Sequence, residues 1–108
     1  LAIVGRAKDI IFTGGLNVYH RVVELLIFVI AGVVESEVIG VPHPDFGEAV
    51  TAIVVIEAGA ALEAEDIIGH VRARAANFKV PKKVYLVQGL PRNAMGKVQK
   101  NLLREQYA

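Results

Sequence analysis

The side chain best placed to do chemistry in this sequence is Lys97, in the Gly- and Pro-punctuated stretch "GLPRNAMGK". An ammonium on a flexible stem can stabilise negative charge as it develops, provided its loop can enter and leave a cleft. Gly96 allows such a loop to come close to another surface. Taken alone, a loop lysine is more often a solvated charge. Arg6, Lys8 and Asp9 in "GRAKD" are further charges beside a turn, and alone they read the same way. The pair Gly14-Gly15 permits positive φ or a close backbone approach, and its plain reading is a hairpin turn.

Other chemistries find no support. There is no cysteine, hence no disulfide framework and no thiolate nucleophile. His20, His43 and His70 have no ligand-spaced partners, so no metal site is expected, and His43 between two prolines reads as a structural loop residue. No GxxxxGK[ST] phosphate loop, carboxylate pair or Ser-His arrangement is present. The formal net charge is +1, which argues against a general polyanion-binding role and so against nucleic acid. No apolar run reaches transmembrane length and no signal peptide is visible; with the lack of cysteine, this predicts a cytoplasmic location. The chain opens at Leu1, directly before a motif, and reads as a fragment of something longer.

The elements that must carry these residues follow from periodicity. At 108 residues the chain is one domain. "IVGRAKDIIFTGGLN" predicts an N-terminal two-stranded hairpin closed by Gly14-Gly15. A helix follows over Val18–Ile30, with Asn17 as N-cap and Gly32 as its stop. Strands are predicted near Val34–Val41, Ala49–Ile56 and Lys83–Val87, and "PHPDFGE" is a loop. Helices are predicted near Glu63–Asn77, with apolar Ile67, Ile68, Val71 and Ala75, and near Val98–Tyr107. The order is ββαββαβα, an α+β domain with a small mixed three-stranded sheet flanked by helices.

Three segments, "GRAKDIIFTGGLNVY", "ESEVIGVPHPDFGEAVTAIVV" and "FKVPKKVYLVQGLPRNAMGKVQK", resemble in order and spacing the small C-terminal domain of the acyl-CoA synthetases. These belong to the adenylate-forming superfamily, shared with luciferases and peptide-synthetase adenylation domains. The wording is most similar to the malonyl-CoA synthetase branch. The resemblance covers nearly the whole chain. It implies a mobile lid on a large N-terminal domain, turning between one orientation for acyl-adenylate formation and another for thioester formation. It also implies ATP, Mg and coenzyme A for the full-length enzyme, none for the chain alone, and no turnover by the chain alone. Lys97 would be the catalytic lysine of the first step, relieving repulsion between the carboxylate and the α-phosphate. Lys8 matches the hinge, Arg6 a cation near the nucleotide, and Gly14-Gly15 the loop beside the pantetheine channel. Lys79, Lys82, Lys83, Arg92, Lys100 and Arg104 make the C-terminal third basic, either a solvated face or a contribution to phosphate binding.

One helix departs from the family pattern. "ELLIFVI" holds six consecutive apolar residues, Leu25 to Ile30. Relatives read approximately N-V-Y-P-x-E-V-E there, whereas this chain has His20 for the proline and Val22 for the first glutamate. Glu37 also stands where a small apolar residue is common. Val23, Ile27 and Ile30 form the expected core stripe. Val22, Leu25, Leu26, Phe28 and Val29 then form extra apolar surface, which predicts a protein interface or a homodimer contact. The clustering of departures in one helix suggests an engineered scaffold rebuilt there to bind protein; the alternative is a natural lid domain whose extra face packs on the large domain.

Overall fold

The computed structural model describes residues 10–107. Lys8 and Arg6, with the first strand of the expected hairpin, lie outside them. The elements run β1 (Ile10–Thr13), β2 (Leu16–Tyr19), α1 (His20–Phe28), β3 (Val33–His43), β4 (Gly47–Ile56), α2 (Ala64–Arg72), a 3-10 turn (Asn77–Lys79), β5 (Lys83–Val87) and α3 (Lys100–Tyr107). This is the ββαββαβα order of an α+β domain.

β4 is the organising strand. Its run from Ala49 to Val55 is buried throughout, as a strand covered on both faces requires. β3 pairs with it antiparallel, from His43 opposite Gly47 to Val33 opposite Ile56. Its other edge is shared: β5 pairs parallel to Thr51–Val55, and β1 attaches at Thr13 opposite Gly47. The hairpin thus joins the three-stranded unit into one five-stranded sheet. Alternation then divides the core. Val50, Ala52 and Val54 face one way and pack with Val23 and Ile27 of α1 and Ile67 and Val71 of α2. Ile53 faces the other way with Ile39 and packs on Leu103 of α3.

Local chemistry explains the boundaries. Gly14 and Gly15 have φ of +57° and +83°, the signs that a two-residue type I′ hairpin turn demands. The turn therefore lies between β1 and β2, and the chain stays extended through Tyr19. This corrects the helix start. Asn17 is an exposed strand residue rather than an N-cap, and Val18 is buried as the inward residue of β2. α1 begins at His20, with Tyr19 in the cap position and no side-chain cap bond. α2 starts with a reciprocal bond, Asp66 accepting from the Glu63 N–H. It ends at Arg72, five residues short of the expected Asn77. The chain must leave the helix to bury Val80 and enter β5 after Pro81.

Candidate functional site

Lys97 sits in a short arm between β5 and α3 whose backbone is closely held. The Asn93 N–H donates to the Lys97 carbonyl at 2.9 Å, and Asn93 Oδ1 accepts from the N–H groups of Met95 at 2.9 Å and Lys97 at 3.1 Å. Gly96, with φ +84°, donates to the Asn93 carbonyl and closes the turn. Arg92 and Val98 face each other across the arm, and Gln99 N–H donates to the Pro91 carbonyl. One Arg92 Nη donates to the Gly96 carbonyl at 2.8 Å, and the other pairs with Glu35 of β3. The Lys97 side chain is exposed at the end of this arm. The arrangement presents one ammonium to whatever surface approaches.

The Gly14-Gly15 turn is the second candidate site. Gly14 donates to the Phe46 carbonyl, and a shallow pocket beside it is lined by Thr13, Gly14, Leu16, Phe46, Asn77 and Lys82. Among the described residues, and apart from each glycine's chain neighbours, no atom lies within 4 Å of where a Cβ would stand at either glycine. Lys82 reaches over the Phe46 ring, 4.9 Å from its centroid, and the His43 ring stacks on Phe46 with centroids 4.5 Å apart. His43 also accepts from the Asp45 N–H, consistent with its reading as a loop residue. Across the sheet, Glu48 Oε1 accepts from the Phe12 N–H and fastens the hairpin. Gly40 makes room for that carboxylate, because a Cβ there would lie 2.8 Å from it. The two candidate sites are apart. Glu35, the arm's anchor, pairs with Val55, whereas Thr13 pairs with Gly47. Eight residue steps along β4 separate these points, roughly 26 Å at strand rise.

Residues 23–97 match the AMP-binding enzyme C-terminal domain. The chain belongs to that family. It is 47% identical over 104 residues to a 3-[(3aS,4S,7aS)-7a-methyl-1,5-dioxo-octahydro-1H-inden-4-yl]propanoyl:CoA ligase of Rhodococcus jostii, covering 96% of this chain and 20% of the ligase. It is 43% identical over its whole length to the long-chain-fatty-acid–CoA ligase FadD13 of Mycobacterium tuberculosis, covering 21% of it. Among solved structures, apo MatB from Rhodopseudomonas palustris superposes with a TM-score of 0.91 at 55% identity, over 94% of this chain and 20% of that one. The chain thus spans about a fifth of the length of the relatives it matches.

Within this family domain, the structure joins polar residues that the sequence scatters. His20 and Glu24 of α1, Glu37 of β3 and Lys100 of α3 meet with side chains no more than 18% exposed. Glu24 Oε2 accepts from the Val38 N–H at 2.9 Å and from Lys100 Nζ at 2.9 Å, and lies 2.8 Å from His20 Nδ1. Lys100 also contacts His20 and donates to the Val38 carbonyl. Glu37 stands 3.4 Å from Lys100. Burial pushes the Glu24 carboxyl up, but the hydrogen bonds from His20, Val38 and Lys100 outweigh it, so its pKa lies below the usual value. Burial and the neighbouring Glu24 charge push Glu37 up instead. The expected basic C-terminal face is therefore divided: Lys100 is a part-buried partner of Glu24, Arg92 is committed to Glu35, and Lys82 leans on Phe46. The His20–Glu24 spacing of four was the one local signal of this cluster.

The belt on α1 also divides. Val23 and Ile27 are fully buried, and Ile30 is half-buried. Val22, Leu25, Phe28 and Val29 are exposed, Val29 by 69%. Leu26, read as interface, packs half-buried against the main core, because at 100° per residue it lies next to the Val23 stripe. Among the described residues no His, Asp or Glu group converges as a metal site, and no helix is long and apolar enough to cross a membrane.

Proposed function

We propose that this chain is the lid domain of a cytoplasmic, ATP-dependent acyl-CoA ligase of the malonyl-CoA synthetase branch, acting with a large N-terminal domain. Lys97 is its catalytic residue. The observation that carries the reading is the arm that fixes both backbone polar groups of Lys97 while leaving its side chain exposed. In the adenylating orientation the Lys97 ammonium enters a cleft in the large domain. There it offsets the negative charge that builds as the carboxylate attacks the α-phosphate and pyrophosphate leaves. In the thioester orientation the Gly14-Gly15 end meets the large domain instead, and coenzyme A attacks the acyl carbonyl to release AMP. The missing Cβ atoms fit a narrow pantetheine chain passing close to backbone there, and Lys82 beside the pocket suits a phosphate. Placement of the two sites toward opposite ends of β4 supports one rotation exchanging them. Lys8 and Arg6 keep their proposed roles as hinge and nucleotide-proximal cation. Magnesium would be held with ATP by the large domain.

The test joins this chain to the large domain of a related ligase and measures the half-reactions separately. Lys97→Ala should slow adenylate formation by about 10²–10³-fold while sparing thioester formation from preformed adenylate. Equal losses in both would remove Lys97 from the chemistry. Alone, the 108-residue chain is expected to show no turnover.

A second reading attaches to α1. The exposed Val22, Leu25, Phe28 and Val29 favour a protein contact, with a second copy of the chain as the first candidate. An engineered origin for this helix is supported only by its composition, whereas relatedness along the whole chain supports a natural lid. The lid reading therefore leads.

A further inference from the structure

We infer that Asn93 and Arg92 are positioning residues for Lys97, and that Glu35 of β3 is the anchor through which the sheet aims the arm. The inference rests on the catalytic assignment of Lys97. Its basis is the bonding pattern around one residue. Lys97 gives its N–H to Asn93 Oδ1 and receives the Asn93 N–H on its own carbonyl, so one residue holds both backbone groups. Asparagine suits this task because its short side chain reaches amides two and four residues onward, to Met95 and Lys97. The preceding peptide is held from the opposite side, where Arg92 donates to the Gly96 carbonyl. The same guanidinium fork pairs with Glu35, so its two nitrogens perform different tasks. Without these bonds, Gly96 would leave the arm free to sample many directions. With them, the search for a productive approach is confined to the lysine's own side-chain torsions. Such preorganisation acts on the step in which the ammonium must reach the reacting phosphate, and on no other.

Both the exchange behaviour of the isolated chain and the half-reactions of the joined enzyme test this. Amide hydrogen exchange on the 108-residue chain should show faster exchange of the Lys97 and Met95 N–H groups in Asn93→Ala. Asn93→Asp, which keeps the accepting oxygen, should restore slow exchange. In the enzyme joined to a related large domain, Asn93→Ala should slow adenylate formation by about ten- to a hundredfold, and Asn93→Asp should recover most of it. Thioester formation from preformed adenylate should stay within about twofold, since a distant arm contributes no orientation to that step. Arg92→Lys, which keeps a charge for Glu35 but loses the fork, should reproduce the Asn93→Ala pattern more weakly. If Lys97→Ala is crippled in adenylation while Asn93→Ala matches the parent, the positioning role is wrong and the function stands. If Lys97→Ala itself leaves adenylation intact, the catalytic assignment falls and this inference with it. Equal loss of both half-reactions in Asn93→Ala, without rescue by aspartate, would make Asn93 a general structural residue and overturn the proposal.

Discussion

Glu24 and Glu37 flank the same ammonium and titrate in opposite senses. Glu24 has a folded pKa below its ordinary 4.5, so its stabilisation is present above that value and is lost as pH falls through the folded pKa. Glu37 is raised above 4.5, so its contribution is present below that value and is lost as pH rises through the folded pKa. At neutral pH one carboxylate holds the cluster and the other is a burden on it. Glu24→Ala should therefore destabilise the domain at pH 7, toward the lower end of the roughly 3–5 kcal/mol typical of breaking a buried pair. The lower end is expected because Glu37 remains 3.4 Å from Lys100. Glu37→Gln should raise the urea midpoint at pH 7 and lose that advantage near pH 4. A lower midpoint for Glu37→Gln at pH 7 would contradict the raised pKa. This cluster was almost invisible in the sequence, because Lys100 stands eighty residues from His20 and only the tertiary fold unites them. Lys97 and Asn93, by contrast, lie within one quoted motif.

At the scale of elements, legibility followed local pattern. β4 was read near its observed limits because it is apolar on both faces and rich in β-branched residues, a pattern no surface helix carries, whereas β5, with no buried residue, was delimited by Pro81 before it. The start of α1 was misread because an asparagine before an apolar run looks like a cap. What decided against it was the type I′ turn, which commits the next four residues to pairing with β1. α1 itself invites a direct test of surface against core. Val22→Glu, Leu25→Ser and Val29→Ala each alter an exposed position, so each should change stability by less than about 0.5 kcal/mol. Leu26→Ala should cost more, though less than the ~2–5 kcal/mol of a fully buried leucine. If α1 mediates self-association, the exposed triple variant should be a folded monomer under conditions where the parent chain shows a dimer mass by light scattering. A parent chain that is monomeric at high concentration removes the homodimer reading.

At the scale of the molecule, β4 separates the two ends to which the proposed function assigns different steps. The Lys97 arm is tied to the sheet where β3 meets the end of β4, and the Gly14-Gly15 turn is tied to its beginning through Thr13 and Phe46. A rigid body with different equipment at each end can serve two steps by reorientation alone. The sharpest test of this division is Gly14→Asn. Asn-Gly is a favoured type I′ pair, so the turn and its positive φ survive the change. The turn has room for the new side chain, since among the described residues nothing beyond the chain neighbours lies within 4 Å of the Cβ position. Stability of the isolated chain should then be unchanged, and any functional effect must come from the surface that this end meets. In the enzyme joined to a large domain, Gly14→Asn should slow thioester formation by about tenfold or more, because a small obstruction at a close approach misplaces the reacting groups. KM for coenzyme A should rise with it, while adenylate formation stays at the parent rate. That is the reverse of the Lys97→Ala pattern, and the two variants together form a crossed test of one rotating body. Loss of adenylation in Gly14→Asn, or equal loss of both steps, would mean that the two ends do not work separately.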